Sequence, residues 1–184
     1  MIGNDIVDLR LAKTQSNWQR KGFLEKLFSD TEIREIRTSK NPFLLVWLFW
    51  SMKEAAYKCY IKSEKKRFFG PKKFNCTIPS KNEGLVHFLD VKFKIHFDIT
   101  KEYIHSLGVQ KEPKNLTQKT FFISDIAQQT AVTNQYLLGN FPEGVCIKKD
   151  EIGIPYLTKS NQKLPFSIST AHHGNFGGIA IISV

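Results

Sequence analysis

Two carboxylates, a lysine and a histidine are the residues of this sequence that could do chemistry together. Asp5 lies in a short apolar segment, Glu54 and Lys58 lie in a long aromatic-rich segment, and His172 lies in a polar turn near the C-terminus. A hard cation such as Mg²⁺ takes one or two protein carboxylates and leaves its other positions to water and substrate phosphates. Nearby basic groups offset further phosphate charge. These residue types therefore predict phosphoryl-type chemistry on an anionic substrate, which they do not identify.

The segment with Glu54 and Lys58 predicts a helix over about residues 43–62, because Asn41-Pro42 is a helix start signal. Taken alone, Glu54 and Lys58 would form a surface ion pair worth about 0.2–0.5 kcal/mol. However, they share one helix side with aromatic residues, so we expect these charges to be partly desolvated and to have a partner or a task. The residues on that side, at spacings of three and four, are Trp47, Trp50, Glu54, Tyr57, Lys58 and Ile61.

The elements that position these residues predict an α+β fold, an antiparallel sheet with packed helices, in a single domain of residues 1–184. The first segment predicts a strand over residues 2–7, after which Asp8 caps the next turn. Two capping boxes predict helices that open at Ser16 and Ser29. We find no internal repeat. Further elements are predicted near 74–79, 85–89, 91–99, 145–149, 154–158, 164–170 and 176–183 as strands and over 124–138 as a helix.

The composition is that of a soluble globular chain with excess positive charge. The 184 residues are 41% hydrophobic and carry a net charge of +10, which suggests a polyanionic partner. No apolar run suits a membrane helix and the N-terminus has no signal-peptide pattern, so we expect a cytoplasmic protein without membrane contact. The three separated cysteines are expected to be free thiols. Three histidines show no metal-ligand spacing and are predicted to face solvent: His87, His96 and His105.

A series of motifs in this chain resembles the 4'-phosphopantetheinyl transferase superfamily, and their order is closest to that in holo-acyl-carrier-protein synthases. The motifs lie within residues 2–58 and 153–182, whereas residues 62–150 carry none of them and are atypical of the family. Each motif is weak alone, but their joint presence in this order is a strong signal. The segments are Gly3-Asn4-Asp5, Phe28-Ser29-Asp30-Thr31-Glu32, Trp50-Ser51-Met52-Lys53-Glu54-Ala55-Ala56-Tyr57-Lys58, Gly153-Ile154-Pro155 and Ser169-Thr170-Ala171-His172-His173-Gly174.

The resemblance implies an enzyme that transfers the 4'-phosphopantetheine group of coenzyme A to a serine of an acyl or peptidyl carrier protein, as in fatty acid biosynthesis. The other product is adenosine 3',5'-bisphosphate. By resemblance, Asp5 and Glu54 hold Mg²⁺ on the pyrophosphate, and Lys58 contacts phosphate. The serine hydroxyl needs a base, which is either Glu54 or a metal-bound water held by Asp5. The further residues that are implied to contact coenzyme A are Lys53, Ser169 and His172.

The implied partner is an acidic carrier protein, which a basic surface would attract over a long range. In the family, the region after the first strand meets the carrier protein. The small synthases of the family are trimers with the site between subunits, so a homotrimer is also implied. The basic residues in that region of this chain are Arg10, Lys13, Arg20 and Lys21.

The chain departs from the family pattern at three positions. Val7 stands where larger members have a third acid, Ala171 replaces the second serine of the C-terminal turn, and Ile154 replaces the lysine of a Gly-Lys-Pro turn. The last departure leaves the partner of the 3'-phosphate of coenzyme A open. Basic residues that could take its place are Lys159, Lys163 or those of the loop predicted over residues 62–73.

Two other functions fit part of the sequence. A non-catalytic basic RNA-binding module would explain the charge and the aromatic residues, but not the carboxylates of Asp5 and Glu54. A Mg²⁺-dependent phosphohydrolase would use the same carboxylates. No aromatic RNA-binding signature is present on the predicted strands, so we expect no nucleic-acid partner. Glu32 is expected to be structural, because it completes a capping box.

Overall fold

The computed structural model describes residues 1–68 and 70–184 and confirms the α+β class. All strand pairings within these residues are antiparallel. The helices are α1 (Leu9–Gln15), α2 (Phe23–Leu27), α3 (Asp30–Thr38), α4 (Pro42–Glu64) and α5 (Gln129–Leu138). The strands are β1 (Ile2–Asp8), β2 (Asn75–Ser80), β3 (Glu83–Phe88), β4 (Val91–Ile99), β5 (Tyr103–Val109), β6 (Leu116–Phe122), β7 (Val145–Lys149), β8 (Pro155–Lys159), β9 (Gln162–Lys163), β10 (Phe166–His173) and β11 (Phe176–Ser183).

The first half of the chain packs helix α4 on a five-stranded sheet of order β1-β5-β4-β3-β2. Gly3 of β1 pairs in register with Gly108 of β5, and both strands cross the helix at Ala55. A Cβ atom on Gly3 would lie 2.1 Å from the Ala55 carbonyl oxygen, so a side chain there would collide with the helix backbone. The glycine therefore lets β1 lie directly on α4, and it brings Asp5 close to the helix residues beyond Ala55.

The order of strands and helices in the second half of the chain resembles that in the first, although the sequence itself shows no repeat. The second half contains a three-stranded sheet of order β10-β11-β6, a second sheet of order β7-β8-β9, and helix α5. In chain order, β6 and α5 correspond to β1 and α4, and the hairpins β7–β8 and β10–β11 correspond to β2–β3 and β4–β5. Each half has its own apolar core. We refer to the halves as the first unit and the second unit.

Strand register shows how the two units differ at the predicted site. Tyr103 and Phe176 begin the equivalent strands β5 and β11 and pack together, with ring centroids 4.9 Å apart. Counting from these two residues, Asp5 pairs with the third residue beyond Tyr103, and Lys119 pairs with the third residue beyond Phe176. Lys119 therefore occupies in the second unit the position that Asp5 has in the first. The carboxylate of this position is present only in the first unit.

The units meet at a seam where side chains connect the free edges of β1 and β10. Backbone N–H groups of β1 donate to side chains of β10: Ile2 to Ser167 Oγ at 3.3 Å, Asn4 to Ser169 Oγ at 2.9 Å and Asp8 to His173 Nδ1 at 2.9 Å. Lysines of α4 bind the carbonyl groups of the same edge: Lys58 donates to Asn4 O, and Lys62 donates to Ile2 O and to Ile168 O of β10. The seam fixes the β1 residues relative to those of β10.

Several local predictions were wrong, and tertiary contacts explain most of them. Ser16 does not open a helix: α2 begins at Phe23 after Gly22, whose φ of +80° suits glycine. The Asp8 side chain accepts from two backbone N–H groups and so caps α1, a helix that the sequence pattern did not predict. His105 is buried rather than solvent-facing, because it lies on β5 beside Asn4. Strands β5 and β6 were also missed.

The other predictions for this part of the chain have mixed outcomes. The basic loop predicted over residues 62–73 starts later, since α4 continues to Glu64; its residue 69 lies outside the described residues. The three cysteines are free thiols, as expected. Among the helices of residues 1–68 and 70–184, none combines the length and apolar character that a membrane span requires.

Candidate functional site

Asp5 is held at the crossing of β1 and α4, in a largely buried position. Its side chain is 13% exposed, and Oδ1 accepts from Lys58 Nζ at 3.1 Å. Lys58 also donates to the carbonyl oxygen of Asn4 at 2.9 Å. Burial raises the pKa of Asp5 above its ordinary value, although the charge of Lys58 opposes the rise. The single lysine therefore only partly compensates this carboxylate.

Glu54 lies one helical turn before Lys58 and is the second carboxylate of the site. Burial, and after it the negative charge of Asp5, raise the pKa of Glu54 to about 7, while Lys58 lowers it. The ion pair that the helical spacing of Glu54 and Lys58 allows is not formed, because Lys58 turns to Asp5. Across residues 1–68 and 70–184, Glu54 has no ion-pair partner. The site thus places two mutually repelling carboxylates beside one lysine.

This donor set fits a hard divalent cation. Burial raises the pKa of both carboxylates, and the negative charge of Asp5 also raises the pKa of Glu54. Mg²⁺ would supply a compensating positive charge, and it takes oxygen ligands. The buried Ser51 hydroxyl lies next to Asp5 and acts to lower the pKa of its carboxyl group. In that same part of the chain there is no group of three or more His, Cys, Asp or Glu residues suited to a metal. The protein would therefore supply two carboxylates, and water and substrate oxygens would complete the coordination.

A cleft of about 460 Å³ extends from Lys58 between the two units. Its walls are basic and contain no carboxylate among the described lining residues. Such a surface is suited to a ligand that carries several negative charges. The basic residues that line the cleft are Lys58, Lys62, Arg67, Lys149 and His172.

Arg67 enters the cleft over a glycine of the second unit. A Cβ atom on Gly153, which has a φ of +77°, would lie 2.8 Å from a terminal nitrogen of Arg67. The loop that carries Arg67 is fixed to the second unit by Lys65, whose Nζ lies 2.9 Å from Asp150 Oδ2. Neither Arg67 nor Lys149 has an ion-pair partner within the described residues. Two uncompensated cations therefore face the cleft away from the carboxylates.

One face of α5 lines the opposite wall with neutral polar groups. Thr130 Oγ1 lies 3.3 Å from His172 Nε2, and the buried Thr133 hydroxyl has no hydrogen-bond partner in the described part of the protein. Asn134 follows on the same helical face. Partial burial, and then the charge of Lys58, lower the pKa of His172, so the imidazole is neutral near pH 7. This wall offers hydrogen bonds to an uncharged part of a ligand.

Ser169 and Lys53 are placed differently from the other predicted residues. Ser169 lines the cleft, but its Oγ accepts from the backbone N–H of Asn4 and so also belongs to the seam. Lys53 points to the other side of α4, where Nζ is 1% exposed and lies 2.8 Å from Glu32 Oε2. It also donates to the carbonyl groups of Pro71 and Phe74. These contacts occupy Lys53 fully and argue against the predicted contact with a ligand.

The position of Glu32 agrees with its expected structural role. Its carboxylate completes the capping box with Ser29 and accepts from Cys76 N at 2.7 Å as well as from Lys53. Sequence reasoning missed other residues that line the cleft. Arg67 lies within the basic loop, whose charge was a weak signal, whereas Lys149 and Thr133 lie in elements without any motif.

Comparison with known proteins covers the first unit. A family model described as the 4'-phosphopantetheinyl transferase superfamily matches residues 1–115. This range contains Asp5, Glu54 and Lys58, whereas His172 lies beyond it. No curated protein matches the chain.

Proposed function

We propose, because this chain belongs to the 4'-phosphopantetheinyl transferase superfamily, that it transfers the 4'-phosphopantetheine group of coenzyme A to a serine of an acyl or peptidyl carrier protein. The observation that carries the proposal is the placement of Asp5 and Glu54, with Lys58, at one end of a basic cleft. An RNA-binding module has no need of two buried carboxylates. A phosphohydrolase has no need of a long basic cleft that leads away from them.

In this proposal, Asp5 and Glu54 would hold Mg²⁺ near the pyrophosphate of coenzyme A. The bound cation would neutralise charge that develops on the leaving phosphate. Lys58 is anchored by Asn4 O and Asp5, which directs its ammonium group to the same phosphate region. The serine oxygen forms a bond to the β-phosphorus, the bond from that phosphorus to the bridging oxygen breaks, and adenosine 3',5'-bisphosphate leaves. The serine proton passes to Glu54 or to a water molecule held by Asp5.

Arg67 and Lys149 are the residues that we assign to the 3'-phosphate, in place of the lysine that Ile154 replaces. Both line the cleft and neither has an ion-pair partner among the described residues. Lys159 does not line the cleft, and Lys163 lines a separate cavity with its Nζ 5.2 Å from the Tyr156 ring centroid. His172, Thr130 and Ser169 then face the intervening part of the nucleotide.

A groove near the end of β1 is the surface that we assign to the acidic carrier protein. The groove, of about 340 Å³, surrounds Phe122, which is 63% exposed. Its charged lining residues are the basic Arg10, Lys13 and Lys101 and the acidic Asp8 and Glu102. Arg20 and Lys21 line a different groove. We expect Phe122→Ala to raise KM for the carrier protein about tenfold without changing KM for coenzyme A. The matched control is Leu89→Ala, which removes another exposed side chain, 79% accessible; equal effects of the two changes would contradict the assignment.

A single chain suffices for the site in this proposal. Asp5 of the first unit contacts Lys58, which lines the same cleft as His172 of the second unit. The homotrimer that the family resemblance implied is therefore not required for activity. Sedimentation together with transfer assays over a range of protein concentrations tests this, and activity that appears only with trimer formation would refute it. We also propose a cytoplasmic location, in keeping with the free thiols.

The decisive experiment incubates the protein with coenzyme A, Mg²⁺ and an apo carrier protein, and measures the mass of the carrier. We expect the phosphopantetheine mass addition, and we expect Asp5→Asn and Glu54→Gln to abolish it. The control variant is Glu143→Gln, which changes an exposed acid outside the cleft. Phosphate release without mass addition would indicate a phosphohydrolase, and RNA binding without either reaction would indicate a binding module.

A further inference from the structure

Lys62 is a buried lysine that joins the two units and has no acidic partner in the described structure. It is 7% exposed, and its Nζ donates to Ile2 O of β1 and to Ile168 O of β10. These carbonyl groups belong to facing strand edges, so one amine bridges both sides of the seam. Ile2 lies three residues before Asp5, and Ile168 lies one residue before Ser169. The position of Lys62 thus influences how both walls of the site are set relative to each other.

The surroundings of Lys62 carry mostly positive charge. Lys58 and Cys59 lie on its own helix, and Lys65 follows that helix. The neighbouring acid, Asp150, already pairs with Lys65 at 2.9 Å. Two cavities lie on either side of Lys62. The other residues with titratable groups that line them include Arg67, Lys149 and His172 in the cleft, and Lys163, Tyr156 and the N-terminal Met1 in a cavity of about 340 Å³.

A buried ammonium group with only carbonyl acceptors is costly unless an anion approaches it. Burial above all, together with the charges of Lys58 and Lys65 and against the opposing effect of Cys59, lowers the pKa of Lys62 to about 7. Lys62 lines the basic cleft, so an anion bound there would favour its charged form. We therefore expect Lys62 to be largely neutral in the free protein at pH 8 and charged in the anion-bound protein.

We propose that Lys62 is a positioning residue that takes up a proton when an anion occupies the cleft, and that the resulting ammonium group clamps β1 and β10 around the bound ligand. The identity of the anion as a nucleotide rests on the proposed function, but the proton linkage does not. Because the free form must gain a proton before the tight complex forms, affinity falls as the pH rises above 7. One linked proton limits the decrease to about tenfold per pH unit.

The first test measures protonation of Lys62 directly. Lysines labelled with ¹³C at Cε are titrated by NMR in the wild-type protein, and the Lys62 signal is assigned by its loss in Lys62→Met. We expect this signal to titrate near neutral pH in the free protein and at higher pH with adenosine 3',5'-bisphosphate or sulfate present. A Lys62 signal that titrates near 10 in the free protein, or one that neither anion shifts, would overturn the proposal.

The second test uses calorimetry to measure how many protons the protein takes up when it binds either of the same two anions. The titrations are done between pH 7.5 and 8.5, without divalent cation, in buffers of different ionisation enthalpy. In this range His172 and His173 are neutral, since burial lowers the pKa of each. Any proton uptake by Glu54 is the same in all the proteins compared, because each of them keeps this residue. We expect uptake in the wild type and in the control Lys92→Met, which removes an exposed lysine that lines neither cavity. In Lys62→Arg the side chain is charged over this whole pH range. This variant should therefore bind the anions with less proton uptake than the wild type, and its affinity should depend less on pH.

The outcomes separate this proposal from the proposed function. Equal uptake in wild type and Lys62→Arg, or absence of binding by both anions, would refute the linkage. If uptake depends on Lys62 but no phosphopantetheine is transferred to any carrier protein tested, the linkage stands and the proposed activity fails. Thermal unfolding of Lys62→Arg and Lys62→Met establishes that each variant is folded before binding is compared.

Discussion

Helix α4 carries two lysine–carboxylate contacts on different sides, and they are built in different ways. On one side, Lys53 and Glu32 lie 2.8 Å apart with side chains 1% and 2% exposed. Each has further partners, since Lys53 donates to two carbonyl groups and Glu32 accepts from two backbone N–H groups. The pair is closed, because little hydrogen-bonding capacity remains for a ligand.

On the other side, Lys58 and Asp5 lie 3.1 Å apart with side chains 29% and 13% exposed. Here Glu54 adds a second carboxylate that has no ion-pair partner in the described residues, and burial with Asp5 raises its pKa to about 7. This contact is open, because its charges are not balanced and the cleft begins beside it. Lys53 and Glu54 are adjacent in one motif, yet they have different tasks. Lys53 stabilises the fold through its pair with Glu32, whereas Glu54 is available for chemistry.

The largest effect is expected from breaking the closed pair. Lys53→Met leaves the Glu32 carboxylate buried without its counter-charge, which should lower the free energy of unfolding by about 3–5 kcal/mol. Lys58→Met is the matched control and should cost about 1 kcal/mol, because its pair is partly exposed. Urea denaturation of both variants measures the difference. Equal losses would show that the two contacts do not differ as described.

Removal of a carboxylate from the open side should instead affect catalysis. We expect Glu54→Gln and Asp5→Asn to reduce kcat/KM for phosphopantetheine transfer by at least about 10²–10³-fold, or about 2.7–4 kcal/mol, with the fold retained. Glu32→Gln is the matched control, and it should lose stability while the folded fraction keeps its kcat/KM. A variant of Glu54 that retains full activity would refute the role of this side.

Addition of Mg²⁺ should stabilise only a protein with an intact open side. At a concentration about 100 times its Kd, the cation should raise the free energy of unfolding by about 2.7 kcal/mol. The gain should be absent in Glu54→Gln and should shrink from pH 8 to pH 6, because Glu54, with a pKa of about 7, must lose its proton to bind the metal. Thermal unfolding with and without Mg²⁺ measures this, and a gain that is the same in Glu54→Gln would contradict it.

The smallest effect is expected from Lys62, which with Lys53 is one of the two buried lysines of α4. Its pKa of about 7 lies below the ordinary 10.5, so between these values the folded protein binds fewer protons than the unfolded chain, and its stability rises with pH. Relative to Lys62→Met, we expect the wild type to gain about 1 kcal/mol from pH 7 to pH 8. Urea denaturation at the two pH values checks the slope. Parallel pH dependences of the two proteins would exclude it.

The sequence predicted the residues of the open side better than their contacts. Asp5, Glu54 and Lys58 belong to motifs with characteristic spacing. That Lys58 pairs with Asp5 and not with Glu54 depends on where β1 crosses the helix. Lys53 was assigned to a ligand because it belongs to the same motif; only the packing of α3 on α4 places it beside Glu32. The spacing along one helix could not separate these two directions.

The fold class followed from hydrophobic patterns, whereas the similar order of elements in the two units did not. Equivalent positions of the two units carry unlike residues, such as Asp5 and Lys119. Arg67 was missed as a cleft residue because its position depends on the close approach to Gly153, which lies in the other unit. Contacts between the units determine these features, and no local pattern encodes them.

The seam between β1 and β10 also protects the protein from unwanted association. A strand edge with free N–H and C=O groups can pair with a strand of another chain and start aggregation. Here the hydroxyl groups of Ser167 and Ser169, the ring of His173 and two lysines occupy those groups on β1 without forming a continuous sheet. Loss of the seam would therefore expose two aggregation-prone edges together with the site, so that misassembled chains would also be inactive.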